Sequence, residues 1–427
     1  MPNLQPRANS NSSSVFSIAA LGLLAIVTGA LNANWLVMAF GIPFILGPLG
    51  LFLLLRHSLR NLSVERVCLD AVFENEAVEI TLRLRNASRL PVFFPTVTDD
   101  FKPEYHAHRT CVFADRILPG EVVEARYHGK CLLPRGIYPL GPGVLSISDP
   151  FGWIQLQKRL PSKTVLKVYP SIRDFGLRER AGGPVASIRD VLSRPSQGES
   201  LEFFSAREYR VGDPLRRIHW GLTAHRGFPV VREYTRNALG NLTVFLDLHN
   251  QSLLGIGRGS SLEHAIRICV AFCNHALRCG HDTQVIGHGR EPLLVESGRG
   301  LAHLRRILDA MVPLRPDGGV TLPELLRTNR SRLRRGDTVV YPVTPQLRDS
   351  GEFTAEVRTL HTMGIRQVAL VLDEQTFRSL NYDDQTSINR TTELMTVLPS
   401  LGAECYMVSC GASLELLFRQ SQLQGTR

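Results

Sequence analysis

Two apolar runs open the chain. After a polar tail, residues 1–14, in which Arg7 is the one charged side chain, Val15 to Leu31 runs apolar, Asn32-Ala33-Asn34 interrupts, and Trp35 to Leu55 is apolar again. A helix crosses a bilayer core with roughly 20 mostly apolar residues, somewhat fewer at the short end. Both runs qualify, and the break is long enough only for a tight turn. The pattern predicts a transmembrane helical hairpin over 15–56, with spans 15–31 and 35–55 and both outer ends on one side. Arg56, His57, Arg60 and Arg66 follow the second span and the turn is uncharged, so the positive-inside rule places everything after about residue 56 on the cytoplasmic side. Two alternatives stay open. The first span reads also as a cleaved signal peptide, with the second span still anchoring the product. Gly41, Pro43, Gly47 and Pro48 weaken helix continuity and suit a re-entrant hairpin, although membrane helices tolerate such residues.

From residue 60 to 170 the period becomes two. Val78, Ile80, Leu82 and Leu84 alternate with Glu79, Thr81, Arg83 and Arg85, which puts aliphatics on one strand face and polar groups on the other. Turn signals recur at Asn86-Ala87-Ser88, Leu118-Pro119-Gly120-Glu121 and Gly141-Pro142-Gly143. Short strands at that spacing predict an immunoglobulin-like β-sandwich. Asp149-Pro150 reads as a turn rather than a catalytic acid. Residues 171–197, with Ala181-Gly182-Gly183-Pro184 and little apolar period, read as a linker.

Beyond Leu242 strands and helices alternate. Leu242–Leu248, Thr283–Ile286, Thr338–Val343, Gln367–Leu372 and Cys405–Val408 are strand-like; Leu262–Cys279, Leu301–Met311 and Phe353–Met363 have helical period. That alternation predicts a Rossmann-like parallel sheet over 241–427. The fold class is thus a membrane-anchored multidomain α and β protein.

Composition adds limits. The net charge of +10 on 427 residues favours anionic partners, but with no Lys/Arg run nucleic acid rests on charge alone. Eight cysteines without paired spacing read as reduced thiols.

The segment 198–240 carries Gly198-Glu199, then Arg207-Glu208-Tyr209-Arg210-Val211-Gly212-Asp213, then Arg216-Arg217-Ile218-His219-Trp220 and Val231-Arg232-Glu233. It resembles the signature of the bacterial family called domain of unknown function number 58, with Gly221 to Arg226 departing from the usual Lys, Ser and Ala-Arg. Arginine forks and acids in such a mixture make either an internal ion-pair network anchored by Ile218 and Trp220, or a docking face. No nucleophile accompanies the acids, so no catalytic residue is expected here.

In that family the α/β region is similar to a von Willebrand factor A domain, whose metal loop reads Asp-x-Ser-x-Ser with a later Thr and Asp. This chain reads Asp247-Leu248-His249-Asn250-Gln251-Ser252. The Asp remains, His249 and Gln251 replace the serines, Thr321 is the later Thr, and no Asp follows Val340 to Thr344. Hard oxygen ligands suit Mg²⁺ and a neutral imidazole does not. Asp247 and Thr321 are therefore a degenerate metal site, no cofactor is expected, and Asp247 is expected to satisfy backbone donors at the sheet edge. Three further motifs read as structural. Gly255 to Ser260 fails nucleotide-loop spacing; the helical Cys269 and Cys273 point away from His264 and His275, so they cannot share a zinc; and the same cysteines lack the setting of a nucleophile. The resemblance implies a non-enzymatic scaffold or adaptor of the bacterial inner membrane that partners a MoxR-type AAA+ ATPase and other membrane proteins in the maturation of envelope complexes; a divalent-metal-dependent binding module and an enzyme are the alternative readings.

Overall fold

The computed structural model describes residues 12–105, 107–162, 164–172, 176–178, 185–193, 202–209, 218–235, 241–344, 350–377 and 385–410. The chain divides into two compact units, Met1–Tyr169 and Pro170–Arg427.

The first unit begins with two packed helices, α1 (Ser12–Leu31) and α2 (Trp35–Arg60). The polar break is a turn that starts α2, because the Asn34 carboxamide oxygen accepts from the backbone N–H of Leu36 at 3.2 Å and of Val37 at 3.4 Å, an N-cap. A methyl group added at Gly22 would lie 2.8 Å from the Gly41 carbonyl, and one at Gly29 2.6 Å from the Met38 nitrogen. The helices therefore meet backbone to backbone, the small-residue packing that lipid-buried helices use. Among the described residues α2 alone is long and apolar enough to cross a membrane; the apolar part of α1, Phe16–Leu31, is shorter. At about 39 Å, α2 exceeds a bilayer core, and its last turns bury Leu55 and Leu59 in the β-structure that follows.

Among the described residues eleven strands complete this unit: β1 (Leu62–Val67), β2 (Ala71–Phe73), β3 (Ala77–Asn86), β4 (Val92–Phe101), β5 (Ala107–Val112), β6 (Arg116–Ile117), β7 (Val122–Lys130), β8 (Gly136–Pro139), β9 (Gly143–Ser148), β10 (Gln155–Leu160) and β11 (Val165–Tyr169). They form the sheets β1-β3-β7, β10-β9-β4-β5 with β6 on β4, and β2-β11-β8. The alternation at Val78 to Leu84 is real: all four aliphatics are buried in one core with Val97, Phe101, Leu145 and Ile147. A polar clamp crosses that core. Arg66 on β1 donates to both Asp99 oxygens on β4 at 2.9 and 2.8 Å and to the Pro161 carbonyl at 3.0 Å, while the Tyr127 hydroxyl donates to Asp99 at 2.9 Å. Gly143 leaves room for it, since a methyl group there would lie 2.8 Å from the guanidinium. Asp149 is the expected turn: its carboxylate accepts from Phe151 N–H at 2.9 Å and Ile154 N–H at 2.5 Å.

The second unit holds β12 (Gly176–Arg178), β13 (Val185–Ser187), α3 (Ile188–Ser193), β14 (Glu202–Glu208), α4 (Trp220–Arg226), β15 (Val230–Thr235), β16 (Leu242–Leu246), α5 (Ser261–Arg278), β17 (Thr283–His288), β18 (Pro292–Gly298), α6 (Gly300–Met311), α7 (Leu322–Thr328), β19 (Thr338–Val343), α8 (Ser350–Thr362), β20 (Arg366–Leu372), α9 (Glu374–Phe377), α10 (Gln385–Ser400) and β21 (Ala403–Val408). Among the described residues eight strands form one sheet, in the order β13-β12-β21-β20-β19-β16-β17-β18, and β16, β17, β19, β20 and β21 run parallel. Every residue of β16, β19 and β20 is buried, as helices on both faces require. The buried Gln367 is paired at both ends of its carboxamide: it donates to the Val357 carbonyl at 2.8 Å and accepts from the Tyr341 hydroxyl at 3.1 Å.

The segment read as a linker differs from that expectation. Within 171–197, β12 and β13 extend the sheet beside β21, and α3 buries Ile188, Val191 and Leu192. Arg366, bidentate on Glu404 at 2.8 and 3.2 Å, also donates to the Val191 carbonyl at 2.6 Å and ties α3 to the sheet. Three-residue strands and a six-residue helix are too short to leave a periodic signal.

Candidate functional site at the sheet switch point

The chain leaves β16 for β17 on one side and reaches β19 on the other, so the strand order reverses at β16. Open α/β sheets bind ligands in the crevice outside the strand carboxyl ends at such a point. Here the crevice is lined by Asp247, His249 and Ser252 after β16, by Pro342 and Thr344 from β19, and by Leu372 from β20. Its volume is about 10 Å³, room for about one water.

The loop after β16 is fixed by its own hydrogen bonds. Asp247 accepts from His249 N–H at 3.0 Å, His249 Nδ1 accepts from Gln251 N–H at 3.2 Å, and Ser252 N–H donates to the His249 carbonyl at 3.0 Å. Burial pushes the Asp247 carboxyl above the usual carboxylate range, against hydrogen bonds from the Ser252 hydroxyl and His249 N–H that lower it. His249 is thus a turn former whose Nδ1 is occupied. The expected role of Asp247, holding backbone donors at the sheet edge, matches its bond to His249 N–H.

Residues 317–319 lock the loop from the other side. Gly318 donates to the Leu248 carbonyl at 2.9 Å and accepts from Asn250 N–H at 3.0 Å, and a methyl group at Gly318 would strike the His288 carbonyl. Thr321 stands at the N-cap of α7 without a side-chain capping bond and does not line the crevice. The hydroxyls that do line it are Ser252, Ser261 and Thr344. Sequence reasoning passed over Thr344, whose Oγ1 is buried without a hydrogen-bond partner among the described residues; the signal was a hydroxyl where an Asp was sought. Burial likewise raises the Asp373 carboxyl one strand over, against bonds from Gln375 N–H and the Ser409 hydroxyl.

The remaining motifs lie on and around α5. Cys269 and Cys273 are fully buried in α5, where burial pushes the Cys273 thiol up to about 12. His264 packs edge-on to Phe377, and among the described residues no group of three His, Cys, Asp or Glu converges to hold a metal. In the 255–260 loop Ser260 caps α5, accepting from Glu263 N–H at 3.4 Å. All eight cysteines are free thiols.

The signature segment forms a separate small module. β14 and β15 pair antiparallel, Ile218 bridges Val231, and α4 lies between, capped by His219, whose Nδ1 accepts from Leu222 N–H at 3.3 Å. Ile218, Val230 and Val231 are buried, but Trp220 is 70 % exposed. The expected anchor is therefore Ile218 without Trp220, because Trp220 is the first residue of a short helix and Ile218 occupies the hairpin side. Arg207 and Glu233 belong by backbone to β14 and β15; Glu208 is exposed and Tyr209 half-buried. Glu199, Arg210, Gly212, Asp213, Arg216 and Arg217 lie outside the described residues.

Residues 205–375 match the family described as "Protein of unknown function DUF58", and the chain carries a domain of that family. The matched segment runs from the signature module to α9, so the β-rich unit lies outside it. No curated protein matches. Solved structures with local likeness include the CARDB domain of a Pyrococcus furiosus protein in complex with di-metal ions, 16 % identical over 25 % of this chain and 82 % of that one, TM-score 0.17. Proximal thread matrix protein 1 from the mussel byssus is 10 % identical over 38 % of this chain and 47 % of that one, TM-score 0.24. The sporulation control protein Spo0M from Bacillus subtilis is 13 % identical over 26 % and 51 %, TM-score 0.17. Likenesses this slight carry no argument about fold or activity.

Proposed function

We propose that this chain, a member of the DUF58 family over residues 205–375, is a non-enzymatic membrane-anchored scaffold or adaptor. In this reading α1 and α2 are the transmembrane hairpin, and everything after α2 faces the cytoplasm, in keeping with Arg56 and Arg60 at its exit. The β-rich unit is an immunoglobulin-like sandwich and the α/β unit is of von Willebrand factor A type. The partner is a MoxR-type AAA+ ATPase, and the task is assembly or maturation of envelope protein complexes. The observation that carries the reading is Trp220, 70 % exposed on the module that labels the family. Exposed tryptophans are the residues that most often dominate binding energy at protein interfaces. The test is photo-crosslinking from a benzoylphenylalanine at position 220 in native membranes, with mass spectrometry of the adduct. An AAA+ ATPase in the adduct is expected; adducts with lipid alone would count against the reading.

A divalent-cation-dependent protein-binding module is the second reading, favoured by Asp247, Ser252 and the unpaired Thr344 hydroxyl around one crevice. Oxygen donors suit Mg²⁺, and one carboxylate gives little charge to hold it. A rise in Tm with Mg²⁺ or Mn²⁺ that Asp247→Asn abolishes would support this reading.

A further inference from the structure

The β-rich unit carries exposed aromatics at one end, and the register of its strands places that end against α2. Lys158 on β10 lies beside the exit of α2, with Nζ 3.4 Å from the Leu59 carbonyl and 3.0 Å from that of Leu62. Three residues on, the Pro161 carbonyl meets Arg66. From Lys158 onward, β10 therefore runs alongside the chain leaving α2, and backward from Lys158 it climbs along α2 itself. Four strand residues back to Ile154 cover about 13 Å, which equals about nine helical residues and reaches the level of Leu51. Leu51, Phe52 and Ile154 indeed pack against the same core, and α2 packs on both β9 and β10. The loop between those strands thus stands beside the apolar part of α2, on the helix side of Arg56.

At its tip Phe151 and Trp153 stack at 4.8 Å and 22°, 69 % and 38 % exposed. The fixed Asp149 turn, which bonds Phe151 and Ile154 N–H groups, holds them there. Next to it is a third exposed ring. Phe93 lies opposite Ser148, the last residue of β9, and a bulge follows between Phe93 and Thr96. Phe94 takes φ +46° and is 43 % exposed. Bulky residues rarely adopt that backbone conformation, and bulges re-aim side chains. The charges near these rings are of both signs: Arg89 lies in the turn after β3 and Arg116 faces Phe93, with Asp115 beside it and the buried Asp149 in the loop itself.

We propose that Phe94, Phe151 and Trp153 form a second membrane contact, an aromatic wedge seated at the headgroup boundary of an anionic bilayer beside α2. The chemistry fits: aromatic rings concentrate at that boundary, and basic residues next to them are attracted to anionic headgroups. The proposal rests on α2 entering the membrane.

The test uses the full chain in nanodiscs of phosphatidylglycerol and dibrominated phosphatidylcholine. With Trp35→Phe and Trp220→Phe, only Trp153 emits. Its emission is expected to fall at least two-fold against unbrominated discs and to resist iodide. Quenching by iodide with no bromine effect overturns the wedge. A companion protein with Trp153→Phe and Trp220→Phe reports Trp35 at the start of α2. If Trp35 is quenched by bromine and Trp153 is not, the wedge alone fails; if neither is quenched, the membrane reading fails with it. Hydroxyl-radical footprinting of the unsubstituted protein probes the same ring without a variant. Oxidation of Trp153 several-fold slower in nanodiscs than in detergent supports the proposal, and equal rates overturn it.

Discussion

Replacing Asp99 by alanine removes one partner from the clamp that joins β1, β4 and β7. Arg66 would keep only its bond to the Pro161 carbonyl, with its side chain 5 % exposed. Breaking a buried pair by deleting one member costs about 3–5 kcal/mol, because the remaining charge stays buried and uncompensated. The Tyr127 hydroxyl, donating to Asp99 at 2.9 Å, loses its acceptor at a further cost of about 1 kcal/mol. A domain whose total stability is about 5–15 kcal/mol would then be close to unfolding. Tyr127→Phe removes only the hydroxyl bond and should cost about 1 kcal/mol. The double replacement Arg66→Met with Asp99→Leu removes both charges and should recover most of the loss, since apolar isosteres of buried pairs are often neutral. Pulse proteolysis of the detergent-solubilised protein across a urea series gives the four midpoints. A double replacement no more stable than Asp99→Ala, or a cost below about 1 kcal/mol for Asp99→Ala, would refute the clamp as a coupled buried pair.

Other outcomes follow from single contacts. Gly41→Leu cannot fit against Gly22 and should loosen the hairpin by about 1–3 kcal/mol, read as faster proteolysis between α1 and α2 in detergent. The raised Asp247 carboxyl binds its proton more tightly folded than unfolded, so its contribution to stability is full below about pH 3.8 and is lost as pH rises toward its folded value. Asp247→Asn should therefore flatten the pH dependence of Tm above pH 3.8 and leave Tm at neutral pH equal or higher. A steeper dependence would contradict it. In the native protein a thiol reagent should label the exposed Cys279 and spare the buried Cys269 and Cys273, with all three reacting once urea unfolds the unit.

The sheet was legible where its strands are buried on both faces. Thr338–Val343 was placed to the residue and Gln367–Leu372 to within one, because continuous apolar runs of that length between helices have few other readings. Pro292–Gly298 was missed: as an edge strand with Leu294 exposed it lacks both the run and the alternation. Gln385–Ser400 was missed because polar residues dominate its helix face. The hydroxyl lining of the crevice was hidden for another reason. Ser252, Ser261 and Thr344 come together only when β16 and β19 become neighbours, and no spacing in one dimension encodes that. Trp220 was misplaced because size and hydrophobicity speak for burial, while its position at the start of α4 decides otherwise.

The pairing of β12 with β21 has a practical consequence. Arg178 lies opposite Met407, so β12 meets β21 at the margin of the parallel strands, and a fragment cut to start at the signature module near residue 198 would leave that margin bare. Unprotected strand margins recruit other chains. Such a fragment should self-associate where one starting near residue 170 stays dispersed.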